Sequence, residues 1–270
     1  MRLSAFAKAA AILAIALPTA GHAHRAWLLP SATVLSGDNL FVTVDAAISN
    51  DLFYFEHRPM RLENLTITAP DGSSVAPENV ATGKFRTTFD IAVGKPGTYR
   101  VALTGDGVFG RYKLNGEMKR WRGNANDVAK SIPAGAEDVQ ITHSQRRIET
   151  FVTVGKPSDT LSKLSGSGLE LLPVTHPNDV VAGSDATFKF MLDGKPAAGV
   201  KVVLIRGGSR YRDKLDEINV TTDQEGKVVF KPAVAGMYWI SASVRDDKSS
   251  VPNAKARQAT YAATFEVLPE

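Results

Sequence analysis

Short alternating segments of Val, Ile, Thr, Leu and aromatic residues recur about every ten residues along most of the chain, with Gly, Pro, Asp and Asn gathered between them. Intervals that short leave no room for the crossover helices of βαβ units, so the spacing predicts an all-β fold of antiparallel sandwiches. The strands expected on the N-terminal side cover residues 40–44, 65–68, 85–93, 98–103 and 149–154. On the C-terminal side they cover residues 169–172, 186–192, 201–206, 217–222, 227–231, 237–244 and 259–267. A chain of 270 residues with 43% hydrophobic content has enough apolar material for two cores. The Gly, Ser and Pro content from Gly155-Lys156-Pro157-Ser158 to Ser165-Gly166-Ser167-Gly168 reads as a linker. The expected organisation is an N-terminal sandwich over residues 24–158, a linker over 159–168 and a C-terminal sandwich over 169–270.

The two halves repeat each other in order, which supports tandem sandwiches. Leu28-Leu29-Pro30, then Ser36-Gly37-Asp38 and a strand, resembles Leu171-Leu172-Pro173, then Gly183-Ser184-Asp185 and a strand. Pro96-Gly97-Thr98-Tyr99 matches Ala235-Gly236-Met237-Tyr238, and each half closes on a strand beginning with Phe, at Phe151 and Phe265. In the C-terminal half, the turns at Asp193-Gly194 and at Asp223-Gln224-Glu225-Gly226 resemble those of transthyretin-like sandwiches.

Residues 1–23 read as a cleaved signal peptide. Arg2 and Lys8 precede an apolar run over residues 9–17, Pro18 breaks it, and Gly21-His22-Ala23 offers small residues at the cleavage positions. No stretch reaches the about 20 apolar residues of a membrane span, so a periplasmic chain without a transmembrane segment is expected. Loss of Arg2 and Lys8 removes two of the charges behind the formal +4. With so small an excess, Lys119-Arg120-Trp121-Arg122 and Arg146-Arg147 read as a solvated or protein-docking surface, and no nucleic-acid partner is expected.

The chain has no Cys, which excludes thiol chemistry and leaves His, carboxylates and the chain terminus as metal donors. Cleavage after Ala23 makes His24 the leading residue, carrying an α-amine and an imidazole that can chelate one ion. Nitrogen donors of this kind suit copper, nickel, cobalt or zinc. His57 follows the aromatic and acidic run Asp51-Leu52-Phe53-Tyr54-Phe55-Glu56. It either completes a site with His24, with Glu56 or Asp51 as carboxylate ligand or orienting group, or hydrogen-bonds locally in a half-buried loop. His143 is expected to be a solvated strand residue, and His176 to brace a turn or the interface between halves. Gly105-Asp106-Gly107-Val108-Phe109-Gly110 has the spacing of a dinucleotide-binding fingerprint but lacks a βαβ setting, so it reads as a glycine-rich loop. No nucleophile elbow or paired acid and base stands out, and no enzymatic activity is expected.

Taken together, His24-Arg25-Ala26-Trp27-Leu28-Leu29-Pro30, the block from Asp51-Leu52-Phe53 to Pro70-Asp71-Gly72, and Leu171-Leu172-Pro173-Val174-Thr175-His176-Pro177 resemble an exported bacterial family, domain of unknown function 4198. Its members are described as periplasmic components of cobalt or nickel uptake systems. The resemblance implies a binding or accessory protein that captures a nickel or cobalt ion for a membrane transporter or outer-membrane receptor, and it makes His24, His57 and the Thr175-His176-Pro177 turn family features without saying which bind metal; the donor chemistry above makes His24, His57 and Glu56 the expected ligands. By ligand type alone copper would bind more tightly. The other function open to the chain is that of a metal-free sandwich docking on an envelope partner through exposed strand edges.

Overall fold

The computed structural model describes residues 24–270. The expected signal peptide, residues 1–23, lies outside the described residues. The described chain is all-β, and its helical pieces are the α-turn Val128–Ser131 and the 3-10 turns Ala125–Asp127, Asp159–Ser162 and Ser209–Tyr211. A ten-stranded sheet runs in the order Ile218–Thr221, Lys201–Arg206, Gly236–Asp246, Ala256–Val267, Glu137–Val154, Gly97–Leu114, Leu65–Thr68, Ser74–Val75. Glu117–Gly123 adds to Gly97–Leu114, and Val34–Leu35 to Glu137–Val154. A five-stranded sheet holds Arg25–Pro30, Phe41–Ser49, Thr87–Ala92 and Glu78–Thr82 in that order, with Arg58–Pro59 on Phe41–Ser49. A four-stranded sheet holds Leu169–Pro173, Ala186–Leu192 and Lys195–Pro196, with Lys227–Phe230 on Ala186–Leu192.

One apolar core joins Leu28, Val44 and Phe89 of the five-stranded sheet to Tyr99, Val101 and Ile148 of the ten-stranded sheet. A second joins Leu171, Phe188 and Phe190 of the four-stranded sheet to Tyr238, Ile240, Tyr261 and Phe265. The strand Glu137–Val154 serves both. Its even positions Ile148, Val152 and Val154 enter the first core and Phe151 enters the second, which explains why all seven positions from Ile148 to Val154 are buried. It pairs in parallel with Ala256–Val267, Ile148 opposite Ala262 and Thr150 opposite Thr264. This pairing departs from the antiparallel expectation, because patterning detects hairpins between sequence neighbours and these strands lie far apart in the chain. Residues 159–168, read as a linker, are packed down: Leu161 is buried in the second core, and Arg100 donates to the Leu161 and Lys163 carbonyls at 2.7 Å each.

The internal repeat appears as matching geometry. Gly97 and Gly236 open their strands with φ of 117° and 136°, values that favour glycine. Each is followed by a buried Tyr whose hydroxyl bonds backbone four residues upstream: Tyr99 accepts from the Lys95 N–H at 2.7 Å, and Tyr238 donates to the Val234 carbonyl at 2.8 Å. One match needs correction. Tyr99 lies opposite Val152 and Tyr238 opposite Phe265, so the counterpart of Phe265 is Val152, and Phe151 points to the other face.

The segment 105–110 is also corrected, from loop to the interior of the strand Gly97–Leu114. Its glycines admit close neighbouring backbone: a Cβ on Gly110 would sit 2.6 Å from the Gln140 carbonyl oxygen. The turn that follows is Asn115-Gly116, with φ of 52° and 82°, a pair that specifies a tight hairpin.

Candidate functional site

The strand Arg25–Pro30 holds His24 in place. It pairs along its length with Phe41–Ser49, Arg25 opposite Ser49 and Trp27 opposite Ala47. Alternation sends Leu28 into the first core and Trp27 to the opposite face, where Trp27, Leu52, Ile205, Trp239 and Ala262 form a separate buried cluster joining the halves. The Trp239 indole N–H donates to the Ala26 carbonyl at 3.0 Å. Arg25 donates to the Asn50 carbonyl at 2.8 Å, lies 3.8 Å from the Glu217 carboxylate and has its guanidinium 5.9 Å from the Trp239 ring. The residue beside His24 is therefore fixed by pairing, hydrogen bonds and an ion pair.

His57 is positioned by a folded loop. The Glu56 carboxylate accepts from the backbone N–H groups of Asp51 at 3.2 Å and Asn50 at 3.3 Å, drawing the run back on itself. The Asp51 N–H is the leading reason the Glu56 carboxyl sits below its ordinary pKa. Phe53, at a φ of 60°, meets Trp27 edge-on at 5.7 Å, and Phe55 lies 6.4 Å from the same ring. Beyond His57, Arg58 pairs with Ile48, whose other neighbour is Ala26. The segments carrying His24 and His57 thus flank one stretch of Phe41–Ser49, and the two imidazoles stack with centroids 4.0 Å apart and planes 27° apart.

Both imidazoles are exposed. Desolvation first, then the neighbouring charges of His24 and Arg58, lower the pKa of His57, which favours the neutral, metal-binding ring. Stacked rings direct their in-plane nitrogen lone pairs side by side, so the two imidazoles share one ion only after splaying until both ring planes meet at it, with metal–nitrogen bonds of about 2.0–2.1 Å. Among the described residues no cluster of three or more His, Asp or Glu side chains is set to hold a metal. The side chains therefore offer a two-imidazole donor set, with Glu56 engaged in shaping the loop. The α-amine of His24 adds a third nitrogen once the chain is cut before it.

The other histidines lie elsewhere. His143, expected to be solvated, is 1% exposed, with Nε2 2.8 Å from Asp106 Oδ1. It sits mid-strand opposite Val108, which belongs to a small buried cluster with Val128, Ile141 and Val251 that the polar sequence neighbours of His143 do not reveal. His176 braces the two halves: its Nδ1 accepts from the Asn178 N–H at 3.1 Å, which leaves Nε2 to donate to Thr98 Oγ1 at 3.0 Å.

Sequence reading missed an open groove beside His24, of about 710 Å³ and bordered by Arg58, Arg122 and Arg146. The signal was divided between two basic runs, Lys119-Arg120-Trp121-Arg122 and Arg146-Arg147, which pairing of Glu117–Gly123 and Glu137–Val154 to the two edges of Gly97–Leu114 brings to one sheet.

Comparison with known proteins places these features in a family context. The model of the domain of unknown function DUF4198 matches residues 21–246. No curated protein matches the chain. Among solved structures it is similar to the D0-D1 domain of Intimin, at 15% identity over 89% of this chain and 97% of that one, with a TM-score of 0.23. It is also similar to Escherichia coli alpha-2-macroglobulin activated by porcine elastase, at 10% identity over 91% of this chain and 31% of that one, TM-score 0.22. A marsupial T cell receptor matches at 10% identity over 91% of this chain and 74% of that one, TM-score 0.21.

Proposed function

We propose that this chain, which belongs to the DUF4198 family, is a periplasmic accessory protein of two tandem β-sandwiches that captures a late first-row divalent ion through His24 and His57. Removal of residues 1–23 frees the His24 amine, so maturation and metal capture are linked. The ion is cargo, handed on to a membrane uptake system. The observation that carries this reading is the stacked His24–His57 pair, two segments distant in sequence bringing imidazoles together at 4.0 Å on an otherwise exposed edge. Nickel or cobalt follows from the family resemblance read from the sequence, whereas imidazole and amine donors by themselves rank copper higher.

The test is isothermal titration of nickel, cobalt and copper into protein beginning at His24 and into protein carrying one extra residue before it. Binding weakened at least tenfold by the extension, and again by His57→Ala, supports the proposal. Equal affinity in all three proteins removes it.

One observation favours a second reading, docking without metal. The edge strand Glu78–Thr82 is exposed at every position, an open template for strand addition by a partner. Elemental analysis of protein purified without a His tag separates the two: a stoichiometric transition metal fits capture, and its absence from cells grown with nickel and cobalt fits docking.

A further inference from the structure

At its C-terminal end the ten-stranded sheet covers the second core with one face only. On its other face the register aligns Arg146, Thr260 and Ser243 in one row, because residues opposite each other across strands share a face. The strand Arg25–Pro30 covers part of this face through Trp27 and Trp239. The remainder is the groove of about 710 Å³, within the size range of small-molecule sites.

Its arginines divide into two sets. Arg25 is paired with Glu217, and Arg147 lies 3.2 Å from Glu149 and 3.3 Å from Glu170. Arg58, Arg122 and Arg146 reach the groove from three separate strands, and none of them forms an ion pair among the described residues. Desolvation first, then the charges of Arg122 and Arg58, push the Arg146 guanidinium below its ordinary pKa. Three like charges gather over a floor with a hydroxyl donor at Ser243, while the Thr260 hydroxyl donates to the Gln145 carbonyl at 3.3 Å, and they repel one another until a counter-charge arrives. Guanidinium forks match carboxylate and phosphate oxygens in geometry.

We infer that this groove binds a small polyvalent oxyanion, carrying carboxylate or phosphate groups, through Arg58, Arg122 and Arg146. The inference stands apart from metal capture, because the three arginines are not donors to a cation and the site needs neither the freed amine nor His57.

The test titrates pyrophosphate and citrate separately into metal-free protein, read by isothermal titration and thermal shift. The proposal expects at least one probe to bind, the affinity to fall at least tenfold in Arg122→Gln and in Arg146→Gln, and Lys195→Gln, which removes an exposed charge elsewhere, to leave it unchanged. Binding of pyrophosphate alone assigns phosphate groups, and binding of citrate alone assigns carboxylates. Arg146→Gln should also keep or raise the Tm of the anion-free protein while abolishing the increment the anion gives, which separates site loss from misfolding. Failure of both probes to bind at 10-fold molar excess over millimolar protein, or equal binding to wild type and both arginine variants, overturns the proposal.

Discussion

Replacing Glu149 by alanine should destabilise both halves at once. Glu149 is 1% exposed on the shared strand Glu137–Val154, and its carboxylate accepts from the Tyr261 hydroxyl at 2.7 Å and from Arg147 at 3.2 Å, with Arg100 at 3.7 Å. Tyr261 is fully buried; its burial first, then the Glu149 charge, holds the phenol well above its ordinary pKa, so it remains a donor at any practical pH. Removing one partner from a buried ion pair costs about 3–5 kcal/mol. A buried hydroxyl left without an acceptor costs about 1–3 kcal/mol, and the two losses overlap because they share one carboxylate. Arg147 keeps Glu170 at 3.3 Å and Arg100 keeps two carbonyl acceptors, so the lower end, about 3 kcal/mol, is expected for Glu149→Ala. Glu149→Gln retains an acceptor for Tyr261 and should cost about half as much. Urea unfolding gives the free energies, and hydrogen exchange along Glu137–Val154 and Ala256–Val267 locates the loss. A Glu149→Ala protein within about 0.5 kcal/mol of wild type, the usual range for ordinary surface changes, would refute the role given to this network.

Three further substitutions probe the brace between halves and the long hairpin. Burial is the main cause that lowers the pKa of His176, with Asp179 pulling the other way, and its neutral ring is needed because Nδ1 accepts the Asn178 N–H. A depressed folded pKa means that the His176 contribution is fully present above the unfolded value of about 6.5 and is lost as pH falls through the folded value. The Tm gap between wild type and His176→Ala should therefore narrow from pH 7.5 to pH 5, and parallel profiles would contradict this tautomer assignment. Gly110→Ala places a Cβ 2.6 Å from the Gln140 carbonyl and should cost about 1–3 kcal/mol in urea unfolding. Gly105→Ala, whose nearest neighbour is the Arg146 side chain at 3.6 Å, should be nearly neutral.

The elements legible in the sequence are those where one face is buried and the other is wet. Leu65–Thr68, Ala186–Leu192 and Lys201–Arg206 fall where their alternation puts them. The repeat was legible because Gly97 and Gly236 must adopt a backbone that few residues tolerate, and each is followed by a tyrosine that locks the strand opening. Residues 104–114 were hidden, and of 137–147 only the stretch around His143 reads as strand. The two segments pair with each other, and Gly105, Gly107 and Gly110 look like loop residues until a neighbouring backbone accounts for them. The Asn115-Gly116 turn was the available clue to that hairpin. The sharing of Glu137–Val154 between two cores left no local pattern beyond an unbroken buried run. At the site, residue type identified the histidines, but only the Phe41–Ser49 register brings His24 to His57, and the role of Glu56 as a loop brace depends on backbone geometry.

The most direct examination of metal capture is NMR of the chain processed to begin at His24, whose histidines are His24, His57, His143 and His176, with the imidazole signals followed as cobalt(II) is added. The proposed site predicts that the His24 and His57 resonances broaden together at substoichiometric metal, while those of buried His143 and His176 persist. Simultaneous survival of the His24 and His57 signals at one equivalent of cobalt, or selective loss of His143 or His176, would contradict it.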